Sequence, residues 1–304
     1  MHTLLVSGAT GLVGGRLLHA FGDAGPRVLA LTRSPDRAGA VLGARCTPIG
    51  WDGRQVPGET LAQADTLLHL SGEPIFGGLP TPGRLARIRA SRVGSTRAIV
   101  AGIAALAAER RPRTLVCASA VGIYGSRGEE ELDENAPPGE GFLAELCRDW
   151  ETAALSASAY GLRVVCLRFG IVLAAEGGAL ALLTRIFRLG LGGRLGSGRQ
   201  WVPWVHADDA VALVRRALED PGLRGALNVV APGCVRNAEL TRTLAALLGR
   251  RAVLPAPAFA VKAALGPLAG ELLGSRRVVP RRAQALGHAF AHPALEGALQ
   301  EELR

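Results

Sequence analysis

The chain has 304 residues, 48% of them hydrophobic, which is enough for a large core and suggests about two domains of roughly 150 residues each. Its formal charge of +9 is carried almost wholly by arginine, since Lys262 is the only lysine; these arginines lie in singles and pairs, such as Arg110-Arg111 and Arg250-Arg251, without a basic tail or aromatic interleaving, which argues against a nucleic-acid partner. The best candidate for a membrane span, Ala252 to Gly270, is broken by Pro255, Pro257, Lys262 and Pro267, so no membrane partner is expected.

In chain order, His2 to Ser7 is an apolar run that reads as a strand. It runs straight into a glycine motif, with no charged leader and no cleavage site, and a soluble, cytoplasmic protein is the expectation. Leu12 to Phe21 has helical spacing. Arg27 to Leu31 and Thr66 to Leu70 read as strands, and the Ala-rich, proline-free stretch Leu85 to Ala108 as one helix. Arg113 to Ala118 is a strand, Phe142 to Tyr160 a helix and Arg163 to Leu173 a strand. The alternation predicts an α/β fold, a Rossmann-type doubly wound parallel sheet. Its strands lack period-2 alternation because helices cover both faces.

Beyond Leu173 the pattern changes to glycine-rich loops at Gly177-Gly178 and Gly190 to Gly198. A helix follows at Ala207 to Leu218, then a strand at Ala226 to Val230 and a helix from Asn237, its expected N-cap, to Leu248. The predicted division is a dinucleotide-binding domain over 1–173 plus about 200–232. About 174–199 and 233–304 would form a small, mainly helical C-terminal substrate domain. The five cysteines form no CxxC pair and the six histidines show no ligand spacing, so buried free thiols and no metal are expected.

Between the first strand and first helix lies Gly8-Ala9-Thr10-Gly11-Leu12-Val13-Gly14. In this setting Gly8 permits a tight turn, Gly11 lets backbone approach a pyrophosphate, and Gly14 lets helix and strand pack closely. The helix N-terminus then presents free N–H groups and a positive dipole end to phosphate. The second strand ends in Thr32-Arg33-Ser34, where an NAD site normally places an acid for the ribose 2′-hydroxyl. The first acid, Asp36, lies beyond Pro35. Arg33 can instead grip a 2′-phosphate in bidentate fashion, and Thr32 and Ser34 can donate hydroxyls to it, which predicts NADP(H).

Four further segments resemble the short-chain dehydrogenase/reductase superfamily in its extended form: His69-Leu70-Ser71-Gly72, Val93-Gly94-Ser95-Thr96, Ala118 to Gly125, and Val205-His206-Ala207-Asp208-Asp209-Ala210. Over essentially the whole chain, the sequence is similar to atypical "epimerase family" proteins of the NAD-dependent epimerase/dehydratase group, whose C-terminal domain of unknown function Leu254 to Leu295 would supply. The resemblance implies cofactor contacts at Thr32, Arg33, Leu70, Ser71, Arg87, Arg92 and Val172. Arg87 and Arg92 lie about 1.5 turns apart if helical. Gly72 and Ser119 fall in the segments that line the cofactor.

The resemblance also exposes a departure. Working members use a Tyr-x-x-x-Lys pair on one helix face, the tyrosine moving the proton and the lysine lowering its pKa. Here Phe142 and Leu146 take those positions. Ser119 is left as the catalytic candidate that can hydrogen-bond a carbonyl, with Tyr124 as first choice for proton donor; Glu73, Glu145, Cys147 and Arg148 are weaker candidates. Trp201, Trp204 and His206 are expected in the cleft wall or the domain junction.

Three functions stay open. The first is an NADP(H)-dependent oxidoreductase acting on a small carbonyl or alcohol substrate. The second is a non-catalytic NADP(H)-binding sensor. The third is a nucleotide-sugar epimerase or dehydratase with a relocated acid/base, which would need a second diphosphate site built from Arg185, Arg188, Arg194 or Arg199. Oligomeric state is open, with a homodimer among the options.

Overall fold

A computed structural model describes residues 2–22, 25–43 and 46–304. The chain opens with β1 (Thr3–Ser7), α1 (Leu12–Phe21), β2 (Arg27–Thr32), α2 (Pro35–Leu42), β3 (Cys46–Gly50), α3 (Gly58–Ala62) and β4 (Thr66–His69). Then α4 (Pro82–Arg89) passes through a π turn, Ala90–Gly94, into α5 (Ser95–Ala104). Next come β5 (Thr114–Ala120), β6 (Glu131–Leu132), α6 (Phe142–Leu155), β7 (Arg163–Phe169), β8 (Ile171–Leu173) and α7 (Gly178–Arg188). These are followed by β9 (Trp201–Val202), β10 (Trp204–His206), α8 (Ala207–Glu219), β11 (Gly225–Val229), β12 (Val235–Arg236) and α9 (Asn237–Leu247). The C-terminal stretch holds α10 (Ala258–Leu265), α11 (Ala269–Leu273), β13 (Arg277–Val278), α12 (Arg281–Ala285) and α13 (Leu295–Leu303).

Seven strands form one parallel sheet in the order β3-β2-β1-β4-β5-β7-β11. This is the doubly wound Rossmann arrangement, with the strand order reversing beside β1, where the crevice at the carboxyl ends opens. Successive residues of each strand face opposite layers. Leu5, Leu29, Leu67 and Leu115 pack with Ile99, Ile103, Leu146 and Trp150, while Leu4, Val6, Val28 and Val116 pack with Leu17, Leu18, Ala210 and Val214. Each such side chain contributes about 1.5–3 kcal/mol by leaving water. A third, smaller core of Leu173, Leu180, Trp204, Leu244, Leu295 and Leu299 joins α7, α9 and α13 beside the sheet. Among the described residues, no helix is long and apolar enough to cross a membrane.

The structure revises four boundaries. The predicted helix Leu85 to Ala108 starts at Pro82, ends at Ala104 and carries the π turn, where the Ser95 and Thr96 hydroxyls donate to carbonyls of the preceding turn. Phe142 to Tyr160 is α-helical only to Leu155 and then tightens to a 3-10 turn. The run Arg163 to Leu173 breaks at Gly170, where a Cβ would lie 2.8 Å from the Pro203 carbonyl oxygen, and the chain leaves the main sheet to pair β8 with β10. Asn237 is not the N-cap of α9: Arg236 takes that position, and the Asn237 side chain accepts the Leu195 N–H instead (2.9 Å).

Candidate functional site

The crevice is built first by the β1–α1 turn. Gly8 has φ +80°, and a Cβ on it would lie 2.9 Å from Leu70 C and Ser71 N, so β1 and β4 can end side by side only with glycine there. A Cβ on Gly14 would stand 2.3 Å from the Gly8 carbonyl oxygen. The turn is closed by Gly11 N–H to Gly8 O (3.0 Å). No side chain caps α1 and its first turn holds no acid, so its N-terminal N–H groups and dipole remain available to an anion. Thr10 and Gly11 are exposed and Leu12 and Val13 half-buried, and a Cβ at Gly177 or Gly178, at the start of α7, would lie 3.7 or 3.5 Å from the Leu12 side chain.

At the end of β2, the Ser34 N–H bonds the Thr32 hydroxyl (3.2 Å), which turns the chain into α2. Arg33 and Ser34 are exposed, and the Arg33 guanidinium has no partner among the described residues.

His69 fixes the end of β4. It is fully buried, its Nδ1 is 2.5 Å from Ser7 Oγ and its Nε2 is 3.1 Å from Ser95 Oγ. Ser95 spends its own proton on the Ser91 carbonyl (2.7 Å), so Nε2–H donates to Ser95 and Nδ1 accepts from Ser7. Burial drives the imidazole pKa down to about 4, which keeps the ring neutral. Ser71 N–H in turn reaches Ser7 Oγ (3.4 Å), leaving Leu70 and Ser71 against Gly8 and Gly72 exposed at the rim.

Arg87 is exposed on α4 and free of ion pairs among the described residues. Arg92 turns inward. Its NH1 donates to the Glu73 carbonyl (2.8 Å), its guanidinium lies 5.4 Å from the Trp150 ring centroid, and a Cβ at Gly72 would lie 3.1 Å from its Cζ. Burial lowers its pKa. Arg92 therefore walls the crevice between Gly72 and α6. Val172 lies on β8 opposite Val205, close to Gly178.

The two positions at which the family's tyrosine and lysine would fall are apolar in place as well as in type: Phe142 is half-buried and Leu146 is 1% exposed in the core under α6. Ser119 does not point freely into the crevice. Its hydroxyl donates to Glu151 Oε1 (2.6 Å), and Glu151 receives two bonds from Arg168, Nε to Oε1 and NH2 to Oε2, both 2.9 Å. Arg168 NH1 also donates to the Tyr124 hydroxyl (2.8 Å), which donates to Asn228 Oδ1 (2.7 Å). Tyr124 is 0% exposed, and burial pushes its phenol up to about 12. The expectation that Tyr124 reaches the cleft as proton donor is thus corrected: both lone pair and proton of its hydroxyl are used inside the protein.

Among the weaker candidates, Glu145 and Arg148 are exposed on α6, and Glu73 is half-buried. The Cys147 thiol is buried, and that burial raises its pKa to about 12, so it is a thiol and not a thiolate. Beside it stands a residue the sequence reading missed. A Cβ at Gly122 would lie 3.5 Å from Leu143 Cβ, 3.6 Å from Glu271 Oε2 and 3.7 Å from Cys147 Sγ. The C-terminal α11 thus delivers a carboxylate to the start of α6, one residue beyond Phe142, and Arg276 NH2 holds it (3.1 Å). No sequence signal marks Glu271, because its setting depends on a segment that packs back from more than 100 residues away.

Trp201 lies on β9, donating to Glu129 (2.9 Å) with Arg236 stacked 4.0 Å from its ring centroid; Trp204 is fully buried and donates to the Gly233 carbonyl (2.7 Å). His206 belongs to a junction. Its Nδ1 accepts the Asp208 N–H (3.1 Å), capping α8, its ring stacks on His292 (3.7 Å), and its Nε2 is 3.1 Å from Glu302. Asp209 accepts the N–H groups of Ala291 and His292 (2.8 and 2.9 Å). Ligand atoms of His206, Asp208 and His292 lie within 4.8 Å of one another, yet Arg16 already supplies the positive charge, pairing with Asp208 (3.0 Å) and Glu302 (2.9 Å). The cluster clamps the C-terminal segment to α1 and α8.

Comparison with known proteins agrees with this architecture. Residues 4–229 match the model of the NAD dependent epimerase/dehydratase family, and residues 256–302 match that of a domain of unknown function, DUF1731. The chain is 38% identical over 299 residues to the chloroplastic epimerase family protein SDR39U1 homolog of Arabidopsis thaliana, covering 98% of this chain and 86% of that protein. The crystal structure of human epimerase family protein SDR39U1 (isoform 2) with NADPH superposes with a TM-score of 0.84 at 31% identity, covering 99% of this chain and 98% of that one. A nucleoside-diphosphate sugar epimerase from Corynebacterium glutamicum superposes with a TM-score of 0.79 at 34% identity, over 99% of this chain and 58% of that one.

Proposed function

The chain belongs to the NAD dependent epimerase/dehydratase family, and on that premise we propose that it is an NADPH-dependent oxidoreductase acting on a small carbonyl compound or the matching alcohol. The observation that carries the cofactor half of this reading is the β1–α1 turn. Glycines stand where side chains would collide with backbone, and an uncapped helix end faces the crevice. Arg33, without a partner among the described residues, stands at the end of β2 where an acid would select NAD(H). These residues fit a dinucleotide bearing a 2′-phosphate, and the human relative was crystallised with NADPH. When bound, that group supplies or accepts a hydride.

The protein's own part is orientation and the proton. Ser119, Tyr124 and Arg168 are held in one buried network, and Leu146 excludes water and charge from the place of the family's lysine. Beside Gly122 and Cys147 stands Glu271, and its Arg276-held carboxyl group can take the proton of a substrate hydroxyl as hydride leaves and return it to the oxygen as hydride arrives. Holding the reactants in register supplies much of the rate without an acid/base dyad.

The closed Ser119–Glu151–Arg168–Tyr124 network favours a second reading, a cofactor-binding protein without turnover. One experiment separates the two. Protein loaded with NADPH is mixed with a panel of small aldehydes and ketones, and loss of the reduced nicotinamide is followed. Oxidation that depends on the carbonyl, and that Glu271→Gln suppresses without weakening NADPH binding, supports the enzyme. NADPH binding with no oxidation by any carbonyl supports the binding protein.

A further inference from the structure

We propose that a second, separate site, between α9 and the segment 250–255, binds an organic anion carrying two phosphoryl groups. Gly249 (φ +62°) ends the helix, and Arg250 N–H returns to the Ala245 carbonyl (2.8 Å), so the chain folds back along α9. The returning strand is then pinned: Leu254 N–H bonds Gly192 O (3.3 Å), Ala256 N–H bonds Arg194 O (2.9 Å), and Gly196 N–H bonds Ala256 O (2.8 Å). A Cβ at Gly193 would lie 1.9 Å from the Leu254 carbonyl oxygen, so this wall exists only because position 193 is glycine.

The space between them is an open hollow of about 560 Å³. Its floor is one face of α9, where Ala238, Thr241, Ala245 and Ala246 recur at helical spacing and leave room that larger side chains would fill. Four arginines, Arg194, Arg242, Arg250 and Arg251, also line the hollow. None of the four makes an ion pair or a side-chain hydrogen bond with any described residue. By contrast, Arg277 and Arg281 share the Glu131 carboxylate.

Four like charges around one concavity repel one another and concentrate anions there. The planar guanidinium fork matches phosphate oxygens two at a time, and four forks exceed what one phosphate can engage. The volume lies in the range of small-molecule sites rather than of a single ion. The Thr241 hydroxyl, without a partner among the described residues, offers a neutral donor at the floor. No lining residue belongs to β1, α1 or β2, so this is not the dinucleotide crevice.

The test is isothermal titration of the whole chain with inorganic pyrophosphate and with inorganic phosphate, beside an Arg242→Glu/Arg250→Glu variant. Both substitutions fall on exposed side chains, and circular dichroism with thermal melting verifies that the variant is folded. The expected result is saturable pyrophosphate binding, weakened roughly ten-fold or more in the variant and by added salt, with inorganic phosphate bound more weakly. Equal binding to the variant would assign the pyrophosphate to the β1–α1 turn and overturn the proposal. Absence of saturable binding, or phosphate bound as tightly as pyrophosphate, would overturn it too.

Discussion

Removing the Glu151 carboxylate tests the assignment of the Ser119 network to architecture. Glu151 and Arg168 are both under a tenth exposed, at 8% and 9%, and are joined by two parallel bonds of 2.9 Å. In Glu151→Ala the Arg168 guanidinium stays buried with its charge unanswered, and Ser119 loses the acceptor of its 2.6 Å bond. Breaking a buried pair from one side costs about 3–5 kcal/mol. For 304 residues, at about 2.1 cal/mol/K of unfolding entropy per residue, that corresponds to a fall in Tm of roughly 5–8 °C. Scanning calorimetry reads the shift directly. A control, Glu151→Leu with Arg168→Met, removes both charges and fills the space with apolar atoms, and it should recover most of the loss. A Glu151→Ala melt within about 1 °C of the parent would refute the reasoning, since that is under 1 kcal/mol on the same scale.

Other consequences follow from the same contacts. Tyr124→Phe should lower stability by about 1–2 kcal/mol, because Asn228 and Arg168 each lose a buried partner, yet leave NADPH affinity and any turnover unchanged; denaturant melts and nucleotide titration measure the two. Gly14→Ala places a methyl 2.3 Å from the Gly8 oxygen, so titration should find NADPH affinity reduced by more than about ten-fold along with a destabilisation of about 1–3 kcal/mol. His69 has a folded pKa of about 4 against an ordinary value of 6.5, so the unfolded chain binds the extra proton first on acidification. Its contribution is therefore complete above pH 6.5 and lost as pH falls towards 4, about 3 kcal/mol in all. His69→Asn should flatten that part of the stability–pH curve relative to the parent.

The cofactor crevice was legible in the sequence because its physics is local. Gly8, Gly11 and Gly14 sit within seven residues, and β1, β4 and β5 are buried on both faces and so read as apolar runs. The edge of the sheet was not legible. Strand β3 reads Cys-Thr-Pro-Ile-Gly, half-exposed throughout, and Pro48 is tolerated because an edge strand has one side without a partner. Helix α2 buries only Ala38 and offered no periodic stripe.

The chemistry was the least legible part, because its partners are remote. Tyr124 ends the turn that follows β5, where a tyrosine near a cofactor is a reasonable expectation. Its fate is set by Asn228, 104 residues away, and Arg168, 44 away. Arg168 reads as one more residue of an apolar strand, and only the register Ser119 opposite Arg168 brings it above Glu151. The absence of the Tyr-x-x-x-Lys pair could be read from composition, since the only lysine is Lys262. That Glu271 comes to the start of α6 could not, for it depends on how α11 packs.

The central claim, a crevice selective for the 2′-phosphate through Arg33, is tested most directly by titrating the chain and its Arg33→Ala variant with NADPH and NADH and following Tm. A ligand at 100-fold excess over its Kd stabilises by about 2.7 kcal/mol. The expected result is a clear rise with NADPH, little with NADH, and an Arg33→Ala variant whose NADPH affinity falls roughly ten-fold or more while its response to NADH is unchanged. Equal shifts with both nucleotides in the parent, or an equal loss of both in the variant, would contradict it.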